Sequence, residues 1–175
     1  METKYKILKK ENLENNVDFI EATRLAKGLL SFMNSPNISK KIMNAHKINA
    51  KSGEIQNILL DKMLELGFRS EKAGLFNGYK TSALRPDYYK SLGHSKGIIM
   101  EVERGKTLAN NMDMLDIWKC HICNEANYLF LIVPQRRQTE KGVENIIFEK
   151  VIDRLDSFFQ KDNYINIDAV MIFGY

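Results

Sequence analysis

The sequence is poor in the residues that mark several familiar kinds of protein. It has two cysteines, three histidines and three prolines in 175 residues. Cys120 and Cys123 flank His121, but there is no second cysteine pair, and His46 and His94 are distant, so a four-ligand structural zinc site is not supported. Inside a helix, the two cysteines pack as small hydrophobes. No Gly-X-Ser-X-Gly turn presents a nucleophilic serine, and no glycine-rich loop cradles a phosphate. No apolar run approaches the length of a membrane span. The opening residues Met1 to Lys6 lead to no apolar signal segment, so an intracellular, cytoplasmic protein with reduced thiols and no membrane partner is expected.

What is present suits one globular domain with a real core. Hydrophobic residues make up 44% and charged residues 27%. The formal net charge is +4, unevenly spread. Residues 1–50 carry nine Lys/Arg against five acids, residues 51–110 ten against seven, and residues 111–175 seven against ten. The basic excess thus surrounds the acidic stretch described next, which suits a polyanionic partner; on charge alone, a solvated surface is the simpler reading.

That stretch runs from Gly97 to Thr107. Ile98, Met100 and Val102 alternate with Ile99, Glu101 and Glu103, so one pleat face is wholly apolar and the two carboxylates share the other. Like charges at i and i+2 on one strand face repel unless something positive sits between them, and a hard divalent cation with oxygen ligands resolves the repulsion. Gly105 ends the strand, and Arg104 and Lys106 add positive charge beside it. Upstream, Thr81 to Tyr89 reads as the preceding strand and Ser91 to Gly97 as a hairpin turn, which brings Asp87 beside Glu101 and Glu103. Pro86 predicts an edge or bulge next to Asp87.

The remaining chain reads as alternating elements. Residues 1–12 read as a short extended or frayed lead. Apolar spacing predicts helices over Asn12 to Met33 and Ser39 to Lys47, with Ser35-Pro36-Asn37 as the break. Another helix opens at Ser52, its expected N-cap, and closes at Gly67. Phe68 to Phe76 reads as a strand, and Asn77-Gly78 as a hairpin. A helix from Asn110 to Ala126 carries Met112, Leu115, Trp118, Lys119 and Ile122 near one stripe. Its leading Asn110, Asn111 and Asp113 read as capping groups, with a place at the acidic site the alternative because they follow the motif directly. Tyr128 to Val133 is apolar at every position, as a central parallel strand would be, and Pro134 ends it. Val143 to Phe159 reads as a helix and Ile167 to Phe173 as a last strand. The expected fold is α/β: a mixed central sheet flanked by helices, one domain, with residues 1–50 a helical elaboration on a core of residues 51–175.

Pro86-Asp87 on one strand, a hairpin, then Glu101-Val102-Glu103 at the end of an apolar strand resembles the PD-(D/E)XK nuclease superfamily. Glutamate stands at Glu103 where lysine is usual, which is similar to the BamHI and BglII type of restriction enzyme. The resemblance covers roughly residues 52 to 133 and implies a restriction-endonuclease-like α-β-β-β-α-β core. It further implies an Mg²⁺-dependent endodeoxyribonuclease, with Mn²⁺ a second candidate cofactor. Asp87 and Glu101 would bind the metal, and Glu103 would bind it through a water or act as general base. The family's lysine would come from Lys106 or from Lys119 on the following helix. Glu54, in the first turn of the helix that opens at Ser52, is either a helix-dipole partner or a further carboxylate of the site. Lys80, Arg85, Arg104, Arg136 and Arg137 are the candidate contacts to double-stranded DNA. A homodimer is expected, because cutting both strands needs two sites. The alternatives are a catalytically inactive nucleic-acid-binding protein of the same fold, and a structural partner protein whose acidic hairpin is incidental.

Overall fold

The computed structural model describes residues 2–48, 51–70, 74–80, 84–104, 107–138, 142 and 144–175. Its centre is a six-stranded mixed sheet. The strands are β1 (Lys4–Lys9), β2 (Arg69–Ser70), β3 (Tyr88–Gly93), β4 (Lys96–Val102), β5 (Tyr128–Val133) and, last in the chain, β8 (Ala169–Gly174). They lie in the order β1-β8-β5-β4-β3-β2. β4, β5 and β8 run parallel, while β1, β3 and β2 pair antiparallel with their neighbours. β6 (Arg136–Gln138) and β7 (Glu144–Ile146) form a separate two-stranded ribbon.

The helices cover both faces. α1 (Val17–Met33), α2 (Pro36–Ala45) and α3 (Ser52–Glu65) pack on the face bearing Ile98, Met100, Val102, Phe130 and Phe173. α4 (Met112–Ile122) and α5 (Phe148–Asp156) pack on the face bearing Ile99, Leu129, Leu131 and Ile172. β5 is buried at all six positions because it has a strand on each side and helices above and below. The alternation read from Ile98 to Val102 holds, with even positions toward one core and Ile99 toward the other. From α3 to β5 the chain order is α3-β2-β3-β4-α4-β5. No helix among the described residues is long and apolar enough to cross a membrane.

Several local expectations are corrected. The lead is a paired edge strand, β1, in register with β8 from Lys4↔Gly174 to Lys9↔Ala169. Ser35-Pro36 not only breaks one helix but starts the next, because proline's fixed φ and missing N–H suit the first helical turn. Ser52 is already helical and Lys51 occupies the N-cap, whereas Gly67 closes α3 at φ 81°, a left-handed position that favours glycine. The strand expected over residues 68–76 is reduced to two residues among those described, and Asn77-Gly78 lies in a run of turns. The hairpin turn is two residues, His94-Ser95, both with positive φ, so Ser91 to Gly93 and Lys96-Gly97 belong to the strands. β3 begins only at Tyr88, so Asp87 stands at its mouth. Residues 81–83, assigned to that strand, lie outside the described residues. The helix expected from Val143 to Phe159 runs only over Phe148–Asp156, because Glu144–Ile146 pair with β6 as a strand instead. α4 is shorter than expected, and its buried side is not the apolar stripe. Asp113, Asp116, Ile117, Lys119 and Cys120 are buried while Trp118 is 49% exposed. Cys120 and Cys123 are buried, as expected of small core residues.

Gly97 in β4 leaves no room for a side chain. A Cβ there would stand 2.5 Å from the Glu125 carbonyl oxygen and 2.6 Å from the Tyr89 ring. Gly97→Ala is expected to destabilise by about 1–3 kcal/mol, the usual cost of overpacking, read as an earlier denaturant midpoint at unchanged slope.

Candidate active site

The hairpin sets Asp87 against Glu101. Register Tyr88↔Met100 places the preceding residue, Asp87, opposite the next residue of β4, Glu101. Asp87 Oδ2 accepts the Val102 N–H at 2.8 Å, and Glu101 Oε2 accepts the Asp87 N–H at 3.4 Å. Pro86, buried just ahead, contributes no N–H, and irregular chain at Leu84 to Pro86 delivers Asp87 to this point. Glu103 follows the end of β4. Its N–H donates to the Ile132 carbonyl at 2.8 Å, and its carbonyl accepts the Tyr175 hydroxyl at 3.1 Å.

The third partner comes from α4. Lys119 Nζ lies 2.6 Å from Glu101 Oε1 and 2.9 Å from Asp116 Oδ1, with all three side chains less than a tenth exposed. Lys119 is one of the two lysines, with Lys106, expected to stand in for a strand lysine. Asp113, one turn earlier, pairs with Arg154 Nε at 3.2 Å, and Arg154 Nη2 also donates to Asn111 Oδ1 at 2.7 Å. Asn111 therefore serves α5 rather than capping α4, and it holds a left-handed φ of 52° at the N-cap position. Apart from its pairing with Lys119, the Asp116 carboxylate receives no hydrogen bond from the described residues.

Electrostatics follow from this crowding. Burial pushes the Glu101 carboxyl well above its ordinary value, with Asp116 and Asp87 adding to the rise against the pull of Lys119. Burial and Asp116 push Glu103 up to about 8. Burial likewise lifts Asp116 to about 6 and raises Asp87 and Asp113. Burial works against the Lys119 ammonium, but Glu101 and Asp116 outweigh it and hold the amine firmly protonated. Among the described residues, one ammonium thus faces Glu101, Asp116, Asp87 and Glu103, fewer positive than negative groups.

The other sequence candidates fall in different places. Glu54 is exposed in the first turn of α3; the α3 side chain that hydrogen-bonds Asp87 is Gln56. Lys80 and Arg85 are exposed, Arg85 two residues ahead of Asp87. Arg104 is buried, and its guanidinium donates to the Lys47 carbonyl. Arg136 is exposed and pairs with Glu144 at 2.8 Å, and Arg137 is half-buried beside it in β6. Lys106 and Gly105 lie outside the described residues. Asp116 and Gln56 were missed by sequence reasoning. The spacing of Asp113, Asp116 and Lys119 by threes, which puts them on one side of a helix, was the available signal.

The donor set suits a hard cation by chemistry, since it consists of carboxylate oxygens in a place short of positive charge. It is not converged on one point. Among the described residues, no group of three or more His, Cys, Asp and Glu is disposed to hold a metal ion. Lys119 takes up one Glu101 oxygen and the β4 backbone one Asp87 oxygen. No protein-family model matches the sequence, and no curated protein matches it.

Proposed function

We propose that the chain is an Mg²⁺-dependent endodeoxyribonuclease of the restriction-endonuclease-like kind, hydrolysing phosphodiester bonds of double-stranded DNA. One observation carries the reading: Asp87, Glu101 and Lys119, from a strand mouth, a neighbouring strand and a helix, meet within hydrogen-bond and ion-pair distance. The α3-β2-β3-β4-α4-β5 order supports it, being the order the resemblance implies.

Asp87 and Glu101 would hold the cation. When bound, Mg²⁺ supplies a Lewis acid for the scissile phosphate and makes a ligated water more acidic. Lys119 brings a fixed positive charge where negative charge develops on the phosphoryl oxygens, and Asp116 keeps its ammonium in place. Glu103, whose carboxyl is pushed up to about 8 by burial, would accept the proton of the attacking water in its ionised form, which a bound cation favours. A dimer would set two such sites against the two strands.

A second reading, a DNA-binding protein of the same fold without cleavage, is favoured by one observation. Glu101 is already neutralised by Lys119 at 2.6 Å. Nicking of supercoiled plasmid in Mg²⁺ or Mn²⁺ separates the two. Cutting is expected, with Asp87→Ala and Glu101→Ala each losing at least ~10²-fold, the scale of a single electrostatic contact to a transition state. Mn²⁺ binding without cutting on several DNA substrates favours the second reading. Absence of both Mn²⁺ binding and cutting sinks the nuclease reading.

A further inference from the structure

Glu103 stands just past the end of β4, yet its backbone is held on both sides. The strand stops at Val102. The Glu103 N–H donates to the Ile132 carbonyl on β5 at 2.8 Å, and the Glu103 carbonyl accepts the Tyr175 hydroxyl at 3.1 Å. Tyr175 follows β8, which β5 separates from β4, so its side chain reaches across the end of β5 to make this contact. A peptide carbonyl away from water needs such a partner.

The tyrosine is itself fixed. Its N–H donates to the Val133 carbonyl at 2.9 Å, and its carbonyl accepts the Gln135 N–H at 2.7 Å. The His46 ring meets the Tyr175 ring edge-on, with centroids 5.4 Å apart and planes at 89°. The Tyr175 hydroxyl also hydrogen-bonds Arg104, whose guanidinium donates to the Lys47 carbonyl just after α2. Both side chains are buried. A guanidinium only donates, so the hydroxyl accepts from Arg104 and its single proton goes to the Glu103 carbonyl. Burial keeps that proton in place, pushing the phenol well above its ordinary value against the pull of Arg104. A directed run of hydrogen bonds therefore joins Lys47, Arg104, Tyr175 and Glu103.

This brace comes from the face of the sheet opposite the α4 charges. Tyr175 packs with Val102 and Ile132 in the core under α1, α2 and α3. Asp116 and Lys119 come from α4, on the other face. The groups that face the Glu103 carboxylate are Asp116, Asp113 and Lys119 of α4 and Asp87 at the mouth of β3. A hydrogen bond on the carbonyl fixes the backbone from which that side chain projects, so the brace acts on the carboxylate without touching it. Arg104, read from the sequence as a contact to DNA, serves this brace instead.

We propose that Tyr175 is a positioning residue of the candidate site: its hydroxyl, oriented by Arg104, holds the Glu103 backbone so that the Glu103 carboxylate is presented to the attacking water. The proposal rests on the nuclease reading and adds to it two residues, Tyr175 and Arg104, that touch neither DNA nor cation.

The test combines amide hydrogen exchange with steady-state nicking of supercoiled plasmid in Mg²⁺, both on the full chain. Tyr175→Phe keeps the ring and its packing on His46 and removes only the hydroxyl. It is expected to raise exchange at the Glu103 N–H about 2- to 10-fold, the opening that one hydrogen bond resists, while Met100 in the middle of β4 stays as in wild type. It is also expected to lower kcat roughly 10- to 100-fold at unchanged KM for DNA, because a displaced base costs rate and not binding. Arg104→Lys, which lacks the planar fork that serves both the Lys47 carbonyl and the Tyr175 hydroxyl, is expected to shift both readouts in the same direction. Tyr89→Phe is the control. Its hydroxyl donates to the Glu125 carbonyl at 3.0 Å, beside Gly97 at the opposite end of β4, and its loss is expected to leave both readouts unchanged. Unaltered exchange at Glu103 in Tyr175→Phe would overturn the proposal. So would raised exchange with wild-type kcat, or a fall in kcat that Tyr89→Phe matches. Wild type that cuts no DNA sinks the nuclease reading and the positioning role with it, whereas cutting with unaltered exchange sinks the brace alone.

Discussion

Lys119→Met is expected to lower stability by about 3–5 kcal/mol at neutral pH and to abolish cleavage. Methionine keeps the length and the apolar stem but removes the ammonium that Glu101 and Asp116 share at 2.6 and 2.9 Å. Both carboxylates are then buried without a counter-charge, which costs far more than the intact pair gains. For a chain of this size the fall in Tm is roughly 6–20 °C. The triple variant Lys119→Met, Glu101→Gln, Asp116→Asn removes the stranded charges together and is expected to recover most of the stability while staying inactive. That contrast separates what the lysine does for the fold from what it does for the reaction. An Lys119→Met protein that melts and nicks like wild type would remove Lys119 from the site.

The second large effect is a metal-dependent pH response. Glu103 is pushed up to about 8 and Asp116 to about 6, from ordinary values of 4.5 and 3.8. In EDTA the native state therefore holds protons that the unfolded chain has released. Unfolded-minus-native proton binding is negative across that window, so stability falls as pH rises. The Asp116 part is lost between about pH 4 and 6, and the Glu103 part between about pH 4.5 and 8. Glu103 is partly exposed, and the combined loss is on the order of a few kcal/mol. A divalent cation bound by these carboxylates reverses the sign, because it favours the ionised forms. The Tm gain on adding Mg²⁺ or Mn²⁺ is thus expected to be small at pH 5 and largest near pH 8, and Asp87→Ala is expected to remove it. A gain independent of pH, or none at pH 8, would show that no cation binds here.

Much of this was legible beforehand because the sheet imposes a period of two and a buried strand leaves no polar position. The alternation from Ile98 to Glu103 fixed which residues of β4 face which core, and the unbroken run from Tyr128 to Val133 fixed β5 as an interior strand. Gly67 marked a helix end by its backbone alone. Even the meeting of Asp87 with Glu101 followed from a hairpin between two recognisable stretches, although its register depended on where within Ser91 to Gly97 the two-residue His94-Ser95 turn fell.

Only the tertiary structure decided the rest. Spacing put Asp113, Asp116 and Lys119 on one side of α4, but not that this side faces inward while Trp118 faces out, since local pattern assigns charge to water and bulk to the core. The inversion is tolerable because the charges meet Arg154 on α5 and Glu101 on β4, partners 41 and 18 residues away in sequence. Likewise, the short stretches flanking residues 139–143 carry no strand period of their own and become a ribbon only by pairing with each other. A sequence determines which faces are apolar, because that is a local property. Which charges neutralise one another depends on distances across the fold, and those arise only when the elements pack.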